Sequence, residues 1–155
     1  MMTKALLLRT TRHRARRILR GLKRGTSDRI FPNYRSADLG ELPSWWASVR
    51  EEPDWGAVIG VFDPRGDPDG ALVVAENGLC LFEAGVPSRW LPYREVEGFE
   101  ILSKEPPAPC LPVKIGNGEV VNLPFEGGHA FAFIRFLGTI ASQWRHLLAA
   151  EESSP

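Results

Sequence analysis

"LPVKIGNGEVVNLPF", residues 111–125, carries the plainest strand signature in the chain. Leu111, Val113 and Ile115 alternate with Pro112 and Lys114, Asn117-Gly118 supplies a turn, and Val121, Leu123 and Phe125 alternate back. Successive side chains of a strand point to opposite faces, so both arms offer one apolar side to a core. An Asn-Gly pair between such arms is a hairpin signal. At Gly127-Gly128 the apolar spacing then changes from the strand period to the helical one. In "GGHAFAFIRFLGTIASQWRHLLAA", residues 127–150, Phe133, Ile134, Phe136, Leu137, Ile140, Ala141, Trp144, Leu147 and Leu148 fall on less than half the helical circumference. Arg135, Thr139, Ser142 and His146 lie opposite. A hairpin that runs into so wide an aromatic face predicts a β fold closed by a helix over about 128–148. Phe131 is the exception, projecting from the polar side of the first turn, where it caps the core locally or packs under the basic helix at the front of the chain.

Further strands precede the hairpin. "GAVIGVF" (56–62) ends in the turn "DPRGDPDG" (63–70). "ALVVAENG" (71–78) and "LCLFEAG" (79–85) follow, joined around Glu76-Asn77-Gly78. "RWLPY" (89–93) carries Pro92, which argues for an edge or a bulge, and "VEGFEIL" (96–102) puts Phe99 and Ile101 on one face. With the hairpin arms this makes seven short strands separated by turns, the pattern of an antiparallel barrel or of two orthogonal sheets rather than a parallel α/β sheet. The fold class expected is therefore mainly β with α.

The chain has 155 residues and 43% hydrophobic content, enough for one good core. Its formal net charge of zero conceals a polarity: through Arg29 there are ten Lys or Arg against one acid, and beyond it nine against eighteen. The two parts are electrostatic complements, +9 and −9. No apolar run approaches the length of about 18 to 20 residues that spans a bilayer. Cys80 and Cys110 have no close cysteine partner in sequence, so no zinc or redox motif is present. A single bridge between them is one reading; two buried thiols in a cytoplasmic protein is the preferred one.

The basic opening, "KALLLRTTRHRARRILRGLKRG" (4–25), has helical periodicity. Leu7, Leu8, Thr11, Ala15, Ile18, Leu19 and Leu22 form one face, with Arg9, Arg12, Arg14, Arg16, Arg17, Arg20, Lys23 and Arg24 around the rest. Such a helix needs support beneath its leucine stripe. The preferred support is the chain's own acidic body. The rivals are an anionic membrane surface, a protein partner or second copy, nucleic acid, and an organelle-targeting role. Phosphate contacts alone give only non-specific binding, and no recognition motif accompanies these arginines, which counts against nucleic acid. Between this helix and the strands lies a Trp- and Pro-rich connector, 26–54, in which "PSWWASVREE" (43–52) predicts a short helix. Trp45, Trp46 and Trp55 either cover an edge of the core, the preferred reading, or leave one ring exposed as an interface anchor.

Seven strands followed by one amphipathic helix resemble the pleckstrin-homology-like (PH-like) superfold, above all the small bacterial PH-like and GRAM-like domains. "ALVVAENGLCLFEAG", "RWLPYREVEGFEI" and "LPVKIGNGEVVNLPF" are similar to that family's successive hairpins. The resemblance covers about 55–149, with 1–25 as the basic helix, 26–54 as the connector and 150–155 as a disordered tail. It implies a protein-interaction module. Some members bind phosphoinositides through basic residues in the first strand-to-strand loop, but here Arg65 stands among Asp63, Asp67 and Asp69, which repel a phosphorylated headgroup.

No nucleophile, base and orienting group assemble into a set, and no glycine-rich phosphate loop precedes a helix. His13 and His146 sit on charged faces, and His129 follows two glycines in a capping position. Asp63, Asp67 and Asp69 lack the loop length and closing glutamate of an EF-hand, leaving a charged solvent turn. The expectation is a non-catalytic adaptor, cytoplasmic or peripheral at a membrane, with no cofactor and no metal. Its interaction candidates are Arg9, Arg12, Arg16, Arg20, Trp45, Trp46 and Phe131.

Overall fold

The computed structural model describes residues 3–19, 34–63, 66–99, 110–123 and 128–153, and of 128–132 the backbone alone. Helix α1 (Lys4–Arg14) runs on into a π-helical turn, Ala15–Leu19. Strands β1 (Tyr34–Ser36), β2 (Val58–Phe62), β3 (Leu72–Ala75), β4 (Gly78–Glu83) and β5 (Val86–Pro92) form a five-stranded antiparallel meander in chain order. Strands β6 (Val96–Phe99), β7 (Leu111–Ile115) and β8 (Val120–Leu123) form a second, three-stranded one, and helix α2 (Gly128–Glu152) closes the chain.

All seven expected strands are present, together with an eighth, β1, inside the connector. Among the described residues the two sheets do not join into a closed barrel. Pro92 ends β5 without an N–H to carry the ladder further, and a 3-10 turn, Tyr93–Glu95, intervenes before β6. The helix expected over 43–52 is shorter: a 3-10 turn, Ser44–Ser48, followed by another at Pro53–Trp55. No side chain caps the first of these, and Glu51 and Glu52 stand where the helix dipole disfavours acids, so nothing sustains a longer helix. Ile101, Phe125, Arg65 and the loop 103–109 lie outside the described residues.

The two Asn-Gly pairs act differently. In the β7–β8 hairpin Gly118 adopts φ +82°, its N–H donates to the Ile115 carbonyl at 2.9 Å, and Asn117 Oδ1 accepts from the Glu119 N–H at 2.8 Å. Glycine is there for the left-handed backbone. In the β3–β4 hairpin, Val74 pairs with Leu79, leaving Glu76 and Asn77 as the turn. Gly78 instead permits a close approach, because a Cβ at that position would collide with the Leu91 carbonyl of β5.

The centre of the five-stranded sheet, β2 and β3, is buried on both sides. Leu72 and Val74 of β3, Leu79 of β4 and Leu91 of β5 face the main core, where α2 supplies Phe133, Phe136, Leu137, Ile140 and Trp144. Phe133 lies edge-on to Phe62 at 5.8 Å, and Phe136 edge-on to Tyr93 at 6.4 Å. Val73, Ala75, Cys80 and Phe82 point the other way, into a second cluster covered by Trp55, Trp45, Trp46 and Leu42. The connector is thus a lid over the outer face of the sheet. Beyond this packing, Arg89 of β5 donates to Glu119 of the β7–β8 hairpin at 2.6 Å, and Arg145 of α2 donates to the Glu97 carbonyl of β6 at 3.1 Å.

Helix α1 packs against α2. Leu7, Thr11, Ala15 and Leu19 are each fully buried, and Leu8 and Ile18 are half-buried against the same core. These four recur every fourth residue, whereas an α-helix turning about 100° per residue drifts forward by about 40° at each such step. The π-helical turn, with its wider i→i+5 closure, turns less per residue and holds Leu19 toward the body. Thr11 fits this apolar seam because its hydroxyl donates to the Leu7 carbonyl at 2.9 Å. Leu22 and the rest of 20–25 lie outside the described residues.

Two substitutions test this packing by urea unfolding. Leu7→Ala should cost about 2–5 kcal/mol, against no more than about 0.5 kcal/mol for Leu6→Ala, whose side chain is exposed. Gly78→Ala should cost at least about 1–3 kcal/mol, since the obstacle is backbone and cannot swing aside.

Candidate interaction surface

With its apolar face buried, α1 turns its arginines outward. Arg9, Arg12, His13, Arg16 and Arg17 are exposed, and the first four follow i, i+3, i+4, i+7 spacing, which aligns them in one stripe. Thr3 caps the helix by accepting the Leu6 N–H at 3.2 Å. Arg12 is pinned: its Nε donates to Glu76 Oε1 at 2.9 Å, tying the helix to the β3–β4 turn. Arg9, Arg16 and Arg17 make no ion pair among the described residues. Arg20 lies outside the described residues.

Trp45 and Trp46 are half-buried and belong to the outer cluster. Their rings meet edge-on at 5.9 Å, Trp46 leans on Trp55 at 6.5 Å, and Trp55 stacks on Trp90 at 6.4 Å. The Trp45 indole N–H donates to Asp63 Oδ2 at 3.2 Å, and Arg35 Nε of β1 stands 3.7 Å from the same oxygen. Asp63 is therefore no solvent-turn residue: it is 3% exposed and holds the connector and the edge strand to the end of β2. The sequence does not reveal this, because Asp63 looks like its loop neighbours Asp67 and Asp69, which are exposed. Beside Trp45 a shallow groove of about 260 Å³ is walled by Val49, Phe82, Pro68 and Pro87. It adjoins Val86 on the free edge strand β5, which is 58% exposed. The backbone at Phe131 is helical, while its side chain lies outside the described residues, as does that of His129.

Among the described residues no group of His, Cys, Asp or Glu could hold a metal ion. His13 and His146 are exposed on α1 and α2. Cys80 and Cys110 are unbridged, Cys80 buried and Cys110 half-buried. Burial pushes the Cys80 thiol up to about 12, with Glu52 acting in the same direction. The Tyr93 hydroxyl, fully buried and donating to the Ala75 carbonyl at 2.7 Å, is likewise raised well above its ordinary value. Comparison with protein-family models, with curated proteins and with solved structures finds no match.

The raised values fix an alkaline limit. Cys80 and Tyr93 hold their protons more tightly folded than unfolded, so the stability they contribute is complete below the ordinary thiol value of 9.0 and falls as pH rises toward 12. Equilibrium unfolding across that range should show the decline, less steeply for Cys80→Ala. Alkylation of the native protein at neutral pH should modify Cys110 well before Cys80.

Proposed function

We propose that the protein is a non-catalytic interaction module of PH-like architecture whose docked basic helix presents a fixed arginine face to an acidic protein partner. The architecture is argued from order: the meander β2–β5, then the meander β6–β8, then a closing helix, the succession of the family that the sequence resembles. The observation that carries the function is the orientation of α1. Leu7, Ala15 and Leu19 are in the core, and Arg9, Arg16 and Arg17 are exposed without an ion pair among the described residues. A cationic face held rigidly loses little freedom on binding and selects partners by complementary charge.

An anionic membrane is the second reading, favoured by the same arginines. Among the described residues no helix is long and apolar enough to cross a membrane, so any attachment by these elements is peripheral. Surface attraction supplies about 1 kcal/mol per basic residue, and stable attachment takes a second, apolar contribution. Here the stripe that would insert packs on α2. Nucleic acid would meet the same arginines without a base-reading element.

The decisive comparison uses the full chain, the Arg9→Ala/Arg16→Ala/Arg17→Ala variant and a chain beginning at Thr26. A glutamate-rich peptide should bind the full chain in a salt-sensitive manner and fail to bind the triple variant, whose melting temperature stays unchanged. The chain beginning at Thr26 should lose much stability. Sedimentation with phosphatidylserine vesicles at physiological salt that disappears on truncation, with an undiminished melting temperature, would reverse the order of the two readings.

A further inference from the structure

The outward face of α1 carries an apolar side chain among its cations. Leu6 is 45% exposed and precedes Arg9 and His13 by three and seven residues, which sets all three on one helical face. Such a face suits a partner that offers an apolar recess bordered by acids.

The groove beside Trp45 has that make-up. Val49, Phe82, Pro68 and Pro87 wall it, and Arg50 and Glu52 also line it. Glu51 stands between those last two, and Asp67 and Asp69 stand on either side of Pro68; all three acids are exposed. Asp69 Oδ1 accepts from the Ala84 N–H at 3.0 Å, which holds this turn against the β4–β5 hairpin, where Gly85 and Val86 line the groove. With Arg50 opposed by Glu51, Glu52, Asp67 and Asp69, the border is acidic. Glu51, Glu52 and Asp67 make no ion pair among the described residues.

Helix α1 cannot turn its outward face into the groove of its own chain. The seam of Leu7, Thr11, Ala15 and Leu19 fixes it in the inner core, and Arg12 holds it at the β3–β4 turn. The groove belongs to the outer cluster and lies at the other end of β4, beside the β4–β5 hairpin. Resting on the reading of α1 as a face for an acidic protein, we propose that its partner is this groove on a second copy of the chain. Leu6 seats against Val49 and Pro87, while Arg9, Arg16 and Arg17 meet Glu51, Glu52 and Asp67. An apolar centre with a charged border is the ordinary anatomy of an interface, and opposite charges set its orientation. Two copies related by a twofold axis make the contact twice, each giving a helix and receiving one.

Sedimentation velocity on the full chain tests this at about 50 mM and about 500 mM salt. Association should grow with protein concentration at the lower salt and weaken about tenfold or more at the higher. Leu6→Ala should weaken it comparably with the melting temperature unchanged. Arg9→Glu/Arg16→Glu/Arg17→Glu and Glu51→Lys/Glu52→Lys/Asp67→Lys should each be monomeric alone, with unchanged circular dichroism, and should associate when mixed. Asp38→Lys/Glu97→Lys/Glu152→Lys, which changes the net charge equally at exposed sites away from the groove, should not replace the groove variant in that mixture. A full chain that stays monomeric at low salt yet binds the glutamate-rich peptide overturns the second copy and leaves the arginine face standing; failure of both overturns both. Association indifferent to Leu6→Ala and to the helix reversal, or restored equally by the remote reversal, also overturns the proposal.

Discussion

A sheet that is apolar on both faces cannot stand with one face in water, and the rest of this structure depends on that constraint. Every residue of β3 is buried, and its side chains alternate between the two cores. Strands of this kind normally sit inside α/β proteins with helices on both sides. Here the covers differ in kind. The inner face receives α2 and the three-stranded sheet, while the outer face receives an irregular connector whose main assets are large rings. Tryptophan suits that task, because a few bulky side chains hide much surface without a regular element to align them. The buried Asp63 carboxylate fastens the lid, accepting a bond from Trp45 and facing the Arg35 cation. Removing one partner from such a group costs more than a surface bond is worth, since a desolvated charge is left behind.

The same economy of faces explains the N-terminal helix. Eleven α-helical residues and one π turn would be marginal alone, so its stability comes from the seam of Leu7, Thr11, Ala15 and Leu19 on α2. Docking brings a cationic element onto a body of opposite net charge, although among the described residues only Arg12 to Glu76 is a direct pair between α1 and the β3–β4 turn. The long-range field between helix and body is screened by salt. The hydrophobic seam is not, so it fixes the helix and the charge only biases it.

How much of this was legible in the sequence differs by element. Period-2 alternation in 111–123 and the wide apolar arc of 133–148 specify β7, β8 and α2, because one buried face fixes the phase of each pattern. Strand β1 was not legible: three residues carry too little pattern, and what defines it is a distant partner. Gly60 leaves the space that the Tyr34 ring occupies, so a Cβ there would run into it. The roles of the two Asn-Gly pairs looked identical in sequence and diverge through contacts with β5. Of the site candidates, the exposure of Arg9, Arg12 and Arg16 followed from the helical wheel, whereas the half-burial of Trp45 and Trp46 depends on which sheet face they meet. The groove beside Trp45 could not be read at all, since Trp45, Pro68 and Pro87 come from separate places in the chain.

Unsatisfied polar atoms show where such a chain departs from a purely structural optimum. A buried donor or acceptor without a partner costs about 1–3 kcal/mol, a large share of a small domain's stability. Two of these atoms in the described residues, on Arg35 and Asp63, belong to residues that face each other as an ion pair at the sheet edge and are explained by the lid. The remaining four among the described residues, on Arg14, Asn77, Gln143 and Trp144, have no such account within the fold. A phenylalanine in place of Trp144 would keep a ring in the core without an orphaned N–H, and a serine in place of Asn77 could close the turn. Each of these atoms is shut off from solvent by its neighbours, so its lost hydration is a cost that the packing around it has to offset.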